Sequence, residues 1–146
     1  MSGAAAALAV LAGLAGSVQV AVMGRFGGRV GVVEALGFAT GVQLLLATAV
    51  LLVVRQGTGG LAGAFKAPPW LWAGGLMGLL VVFSITFAQP RLGATTTIGI
   101  LIAGQLMMGA AIDRFGWFGV EQIGLSWTRV AGIVLLGAGA ALSLAK

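Results

Sequence analysis

The chain has 146 residues, of which 60% are hydrophobic and only 8% are charged, and its formal net charge is +5. Soluble domains carry about 25% charged residues, so this composition excludes a soluble domain. The sequence has no Cys and no His, which excludes disulfides, His-based metal sites and the Ser-His and Cys-His nucleophiles of many hydrolases. The basic residues flank apolar segments and form no stripe that would bind nucleic acid. We therefore predict a membrane protein that is not an enzyme and has no metal, cofactor or nucleic-acid partner.

Five apolar segments predict an all-α, polytopic membrane protein with five transmembrane helices in one domain over residues 1–146, because about 20 helical residues cross a bilayer. In chain order, the predicted spans are 3–23, 32–54, 70–88, 92–112 and 129–145. The first segment lacks the charged start of a secretory signal peptide. It is also longer than the apolar region of such a peptide, so we expect it to be a retained first helix.

The links between the predicted spans differ in character. A short basic turn is expected at 24–29, and a Gly-rich loop closed by two prolines follows span two. The tight link at 89–91 predicts that spans three and four are antiparallel neighbours. The aromatic, amphipathic stretch at 113–128 is expected to lie partly in the membrane interface, with Asp113 and Arg114 as a surface anchor.

Two glycine pairs have the GxxxG spacing that lets helices in lipid approach closely: Gly37 with Gly41, and Gly74 with Gly78. Glycine supplies 26 of the 146 residues, so pairs at this spacing also arise by chance. Both interpretations stay open from the sequence.

The eight basic residues divide evenly between the two sides of the membrane that these spans would cross. A bias of Lys and Arg in short loops sets the orientation of a membrane protein, and here no bias exists. All four Trp residues fall on one side, although membrane proteins usually carry aromatic belts at both interfaces. An antiparallel pair of protomers would restore both belts. One side receives Arg55, Lys66, Arg114 and Arg129 with Trp70, Trp72, Trp117 and Trp127, and the other receives Arg25, Arg29, Arg91 and Lys146.

Glu34 is the only acid close to a span interior, where an ionisable residue indicates a functional site. A cation or a proton would compete for its carboxylate there. Its position in the first turn of span two also fits a structural role, because the helix dipole favours an anion at that end. Pairing with Arg25 or Arg29 is a further structural explanation.

Three glutamines lie deep in the predicted spans: Gln19, Gln43 and Gln105. Polar groups in lipid must face the helix bundle or a water-filled cavity. They indicate either a cavity for a neutral or amphipathic ligand or hydrogen bonds between helices. Gln43 follows Glu34 by nine residues, so the two project from opposite faces of span two. Gln105 shares a helix face with Met108 and aliphatic residues, a lining that suits a ligand with polar and apolar parts.

Three motifs follow one another in the C-terminal half: Gln-Pro-Arg-Leu-Gly-Ala-Thr-Thr-Thr at 89–97, Ala-Gly-Gln-Leu at 103–106 and Asp-Arg-Phe-Gly-Trp-Phe-Gly at 113–119. With these motifs, the chain as a whole resembles the YdcZ-like family of the drug/metabolite transporter superfamily. Gln19, Arg25, Glu34-Ala35 and Phe38 with Gly41 resemble the N-terminal half of that family. Met23 departs from the pattern, since many relatives carry asparagine there, and this puts a polar site contact in doubt.

The resemblance implies a five-helix protein of the bacterial inner membrane, equivalent to half of a ten-helix EamA-like transporter. Such halves work as antiparallel pairs, either as homodimers or as products of paired genes. The even division of charge favours the antiparallel homodimer, since subunits with a fixed orientation show a skewed count.

We therefore predict a dual-topology subunit of a secondary transporter that moves a small amphipathic or aromatic metabolite or drug-like compound by alternating access. Its partners are the lipid bilayer, a second copy of itself and the substrate. Gln19, Glu34, Gln43, Gln105 and Met108 are the predicted substrate contacts. The alternatives are an antiparallel dimeric ion channel, one subunit of a heterodimeric transporter, and a packing subunit that transports nothing. The sparse polar residues argue against a channel, which needs a continuous polar track.

Overall fold

The computed structural model describes residues 2–57, 59–124 and 126–143, and these residues form helices joined by short links, without a strand. The all-α prediction is therefore confirmed. Two single 3₁₀ turns, Pro69–Trp72 and Trp117–Gly119, precede α4 and follow α5. In chain order, the α-helices are α1 (Ser2–Val30), α2 (Val32–Arg55), α3 (Leu61–Lys66), α4 (Ala73–Leu92), α5 (Ala94–Phe115) and α6 (Trp127–Leu142).

Four helical segments of the described chain are long and apolar enough to cross a membrane: Gly3–Val30, Val32–Arg55, Pro69–Leu92 and Ala94–Phe115. The predicted fifth span, 129–145, corresponds to α6, a shorter apolar helix of 16 residues. At about 1.5 Å per residue, α6 is about 24 Å long, less than the roughly 30 Å of a bilayer core. Residues 144 and 145 of this span lie outside the described residues. The fifth crossing stays a prediction.

Helix α1 continues to Val30, through the residues at 24–29 that the sequence predicts to be a basic turn. Gly24 and Gly27 are buried along this extension. A Cβ atom at Gly24 would overlap the side chain of Gln89, and one at Gly27 would overlap the methyl group of Thr86. The glycines thus allow a close approach to α4 that only the folded chain provides. This contact explains why the helix persists through three glycines.

A single glycine separates the long helices in two places where the sequence predicts wider links. Only Gly31 lies between α1 and α2, and only Gly93 lies between α4 and α5, with φ angles of 104° and 82°. Residues with a Cβ atom rarely adopt positive φ angles, so glycine is suited to both positions between helices. The predicted link at 89–91 is helical, because α4 continues through Pro90 and ends at Leu92.

The segment 22–90 forms one compact unit. Its buried residues include Met23, Ala35, Ile85 and Thr86, and the hydroxyl of Thr86 donates a hydrogen bond of 2.7 Å to the carbonyl of Val82. This bond satisfies the hydroxyl, which would otherwise be costly to bury. Phe26 packs edge-to-face on Phe38, with ring centroids 5.6 Å apart.

The described residues of 1–21 and 91–146 form the second compact unit. Helices α5 and α6 pack closely in it, since a Cβ atom at Gly99 would lie 3.5 Å from Cα of Ala140. Most large apolar side chains of both units are exposed, and Leu45 at 72% and Val53 at 78% are examples. Side chains of this kind, on helices of this length, are expected to face lipid.

Candidate functional site

Helices α5 and α6 are antiparallel and are tied at both ends by polar contacts. At one end, the hydroxyl of Thr96 donates a hydrogen bond of 2.9 Å to the carbonyl of Ser143. At the other end, Arg129 forms an ion pair with Asp113, with 3.1 Å between Nη1 and Oδ2. The backbone carbonyl of Asp113 also accepts a bond of 2.9 Å from the N–H of Ile123. Between these ties the two helices enclose a groove.

The groove has a volume of about 330 Å³, which lies within the range of small-molecule sites. It exists because three of the facing residues, Gly109, Ala110 and Gly132, have little or no side chain. A Cβ atom at either glycine would meet no other atom within 4 Å. The lining residues are Gln105, Leu106, Gly109, Ala110, Asp113, Arg129, Gly132, Ile133 and Leu136.

The polar groups of the groove lie at its two ends. Asp113 and Arg129 close one end, where their side chains are 33% and 49% exposed and their charges cancel. Gln105 lies at the other end, with an exposed side chain that has no hydrogen-bond partner among the described residues. An amide carries one acceptor and two donor hydrogens. The groove therefore offers a ligand apolar walls and one uncharged polar group.

The groove covers rather more than a third of the length of α5. Gln105 lies eleven residues after Ala94, the first residue of the helix, and ten before Phe115, the last. Asp113 follows Gln105 by eight residues, or about 12 Å along a helix. The groove thus runs from the middle of α5 to one end of it.

The structure places two of the five predicted contact residues on α5, and only Gln105 lines the groove. Met108 is 56% exposed and is not part of the groove lining. Gln19 belongs to the same compact unit and is half-buried on α1, also outside this lining. The contacts predicted for Met108 and Gln19 remain predictions.

Glu34 and Gln43 lie on α2, in the unit formed by 22–90. Glu34 is exposed in the first helical turn, and its carboxylate folds back so closely that a Cβ atom at Gly31 would overlap it. This position favours the interpretation in which the helix dipole stabilises the anion. Gln43 is exposed near the middle of α2 and has no hydrogen-bond partner among the described residues. The ligand contacts predicted for both residues stay predictions.

Sequence reasoning missed the ion pair and the small residues that make the groove. Asp113 was expected to be a surface anchor at the start of a link, but α5 continues to Phe115 and places it on the groove-lining face. The spacing of four from Gln105 to Gly109 and from Gly109 to Asp113 is a usable signal, because residues four apart share a helix face. Nothing local connects Asp113 with Arg129, which is sixteen residues away.

The described residues contain no group of three or more His, Cys, Asp or Glu side chains that would hold a metal ion. The lining of the groove offers a ligand hydrogen bonding, apolar contact and one ion pair. Such a site can bind and orient a molecule.

Comparison with known proteins identifies the family. Residues 4–142 match the family described as "Putative inner membrane exporter, YdcZ". The chain is also 34% identical to the "Inner membrane protein YdcZ" of Escherichia coli (strain K12) over 92 residues, which are 62% of this chain and 60% of that protein. No solved structure matches. With its long apolar helices, the chain is a multi-pass inner-membrane protein and belongs to the YdcZ family of the drug/metabolite transporter superfamily.

Proposed function

We propose that this chain is a subunit of a secondary transporter in which two copies, inserted in opposite orientations, move a small amphipathic or aromatic molecule by alternating access. Each copy supplies five transmembrane helices, with α6 as the fifth. The family is described as one of inner-membrane exporters, which supports a transport role. The relative from Escherichia coli is described only as an inner-membrane protein.

The observation that carries the proposal is that the groove between α5 and α6 extends only from one helix end to the middle of α5. It runs from Gln105 at the middle of α5 to the Asp113–Arg129 pair near one helix end. One copy therefore provides a path of about 12 Å, less than half of a bilayer core of about 30 Å. An inverted copy provides the same path from the opposite side. Two copies together give a route with two equivalent mouths, which is the symmetry that alternating access requires.

The charge distribution supports insertion in both orientations. The eight basic residues divide evenly between the two predicted sides, so neither orientation is favoured by loop charge. With one copy in each orientation, the Trp residues would also lie at both interfaces. A pair of subunits with fixed orientations would have no need for this balance.

The remaining predicted contacts belong to the same proposal. Gln19 and Met108, in the same compact unit as Gln105, and Glu34 and Gln43, in the other unit, stay proposed substrate contacts of the assembled pair. Three uncharged amides and one acid near a helix end suit a substrate that is more apolar than ionic. The Asp113–Arg129 pair forms the mouth of the groove and must let the substrate pass.

Topology in cells tests the assembly. The chain has no native Cys, so a single cysteine added after Lys146 can be labelled with a membrane-impermeant maleimide from either side. We expect about half of the molecules to be labelled from each side. Labelling from one side only would overturn the antiparallel homodimer and identify a separate partner subunit.

Transport is tested in proteoliposomes with three aromatic probes that differ in charge: tryptamine, indole-3-acetate and indole-3-acetamide. We expect saturable uptake of at least one probe, and we expect Gln105→Ala to reduce that uptake at least about tenfold, since an unmade hydrogen bond in a buried site costs about 1–3 kcal/mol. Met107→Ala is the matched control, because Met107 is 63% exposed and lies outside the groove lining. Uptake that does not saturate would indicate a channel instead. If the variants Gln105→Ala and Glu34→Gln both take up the probe as well as the unmutated protein does, the proposed substrate site is wrong.

A further inference from the structure

We infer that the two copies of the proposed transporter share one ligand site, in which Gln105 of each copy contacts the same uncharged ligand at the middle of the membrane. The inference rests on the proposed antiparallel assembly and adds the site's composition and the chemical class of its ligand. A site of this kind is incomplete in one copy.

The depth of Gln105 is the first step. A two-fold axis in the membrane plane exchanges the two membrane faces, so it moves a residue from one depth to the opposite depth. Only residues at mid-depth keep their depth and can meet their own counterparts. Gln105 lies at the middle of a 22-residue helix of about 33 Å, which matches the bilayer core. Asp113 and its counterpart would instead lie near opposite faces.

The hydrogen-bonding capacity of Gln105 is the second step. Its amide is exposed at the inner end of the groove and has no partner among the described residues. A polar group without a partner is costly in a bilayer core, so the amide requires one in the assembled protein. Two amides facing each other across the axis supply two acceptors and four donor hydrogens. A ligand with both a donor and an acceptor, such as a carboxamide, satisfies this arrangement.

The charge of the site is the third step. Asp113 and Arg129 neutralise each other at 3.1 Å, and Asp113 lies about 12 Å from Gln105 along α5. The groove between them is lined by Leu106, Ile133 and other small or apolar residues. A charged group beside Gln105 would therefore have no counter-ion in the groove, which is unfavourable at this depth. The ligand is an uncharged aromatic or aliphatic molecule with an amide-like edge.

Three probes with one ring system test the ligand class on the purified full-length protein: indole-3-acetamide is uncharged, indole-3-acetate is an anion and tryptamine is a cation. In equilibrium dialysis, we expect indole-3-acetamide to bind at least about tenfold more tightly than the other two. Gln105→Leu should weaken its binding at least about tenfold, and Met107→Leu should leave it unchanged. Equal binding by Gln105→Leu and the unmutated protein, or a preference for either charged probe, would overturn the inference.

Stoichiometry and a change of preference test the sharing of the site. We expect one indole-3-acetamide molecule per two chains, and one per chain would overturn a shared site. Gln105→Glu places two carboxylates at the centre, so its preference should move from indole-3-acetamide to tryptamine. This variant keeps the inference testable if Gln105→Leu does not fold, because it gains binding. A Gln105→Glu protein that is folded but still prefers the amide would contradict the assignment.

Cross-linking tests the approach of the two residues directly, since the chain has no native Cys. With a short bismaleimide, we expect Gln105→Cys to form cross-linked dimers. Met107→Cys is the control at nearly the same depth, about 200° around the helix. Strong cross-linking of Met107→Cys with none of Gln105→Cys would overturn the inference. The proposed transporter would survive that result if the C-terminal cysteine is labelled from both sides and uptake is saturable.

Discussion

Glycines allow close packing in one compact unit of this protein and leave an open groove in the other. In the unit formed by 22–90, Gly24 and Gly27 are covered by the side chains of Gln89 and Thr86, so that the space left by the missing Cβ atoms is filled. In the other unit, the space beside Gly109 and Gly132 stays open and becomes a groove. The residue on the facing helix decides between a packed contact and a binding site. The comparison predicts that a substitution at a packed glycine lowers stability, whereas a substitution at an open glycine lowers transport.

The largest expected effect is on stability, at the packed glycine. Gly27→Ala places a Cβ atom against the methyl group of Thr86, which is fully buried and whose hydroxyl is hydrogen-bonded to Val82. Overpacking of this kind typically costs about 1–3 kcal/mol, so we expect a clear fall in the thermal midpoint measured in detergent micelles. Gly28→Ala is the matched control, because a Cβ atom there meets no other atom within 4 Å. A Gly27→Ala protein as stable as Gly28→Ala would break the comparison.

The next effect is on transport, at the open glycine. Gly109→Leu fills the groove without a collision at Cβ, so we expect normal stability but at least about a tenfold loss of probe uptake in proteoliposomes, equivalent to about 1.4 kcal/mol. Gly104→Leu is the control on the same helix, since Gly104 is also open but does not line the groove. If both variants transport equally well, the groove is not the path.

A smaller effect is expected at the end of α5 that is tied to α6 by a hydrogen bond. Thr96→Val keeps the shape of the side chain but removes the hydroxyl that donates to the carbonyl of Ser143. A buried hydrogen bond contributes about 1 kcal/mol, so the free energy of unfolding should fall by about that amount. Denaturation in mixed micelles measures this free energy, and Thr95→Val is the control because Thr95 is exposed. Equal values for the two variants would show that this tie contributes nothing.

The smallest effect on stability is expected at the ion pair. Asp113 and Arg129 are 33% and 49% exposed, and exposed pairs contribute about 0–1 kcal/mol. Asp113→Asn should therefore lower the thermal midpoint only slightly, and by less in high salt, because salt screens exposed charges. Glu121→Gln, at an exposed acid, is the control. A loss above about 2 kcal/mol would mean that the pair is far less exposed in the folded protein.

Much of the fold was predictable because helix formation in a membrane depends on local composition. The four long apolar segments predicted near 3–23, 32–54, 70–88 and 92–112 are four long helices in the structure. Backbone groups in lipid must be satisfied within the segment, so a run of about 20 apolar residues leads to a helix almost regardless of its neighbours. The predicted ends were less accurate, since α1 and α5 continue to Val30 and Phe115.

The contacts between helices were not predictable in the same way. A Cβ atom added at any glycine of the two GxxxG pairs, at 37 and 41 and at 74 and 78, would meet no other atom within 4 Å. Gly24 and Gly27, which lie three residues apart in a segment expected to be a turn, instead mediate close packing. Among the candidate site residues, Gln105 lines the groove and Met108 does not, although both lie on one predicted face. Spacing indicates which residues share a helix face, but it does not indicate what the next helix presents to that face.

By itself, the sequence determined the class of this protein: the apolar runs, the sparse charge and the motifs at 89–97, 103–106 and 113–119 lead to a helical inner-membrane protein of the YdcZ family. Only the tertiary structure decided which glycines are covered, that Asp113 pairs with Arg129, and that a groove lies between α5 and α6. The physical reason is the range of the interactions. Hydrophobic partition and backbone hydrogen bonding act within one segment, whereas a groove depends on two helix faces that are distant in the chain.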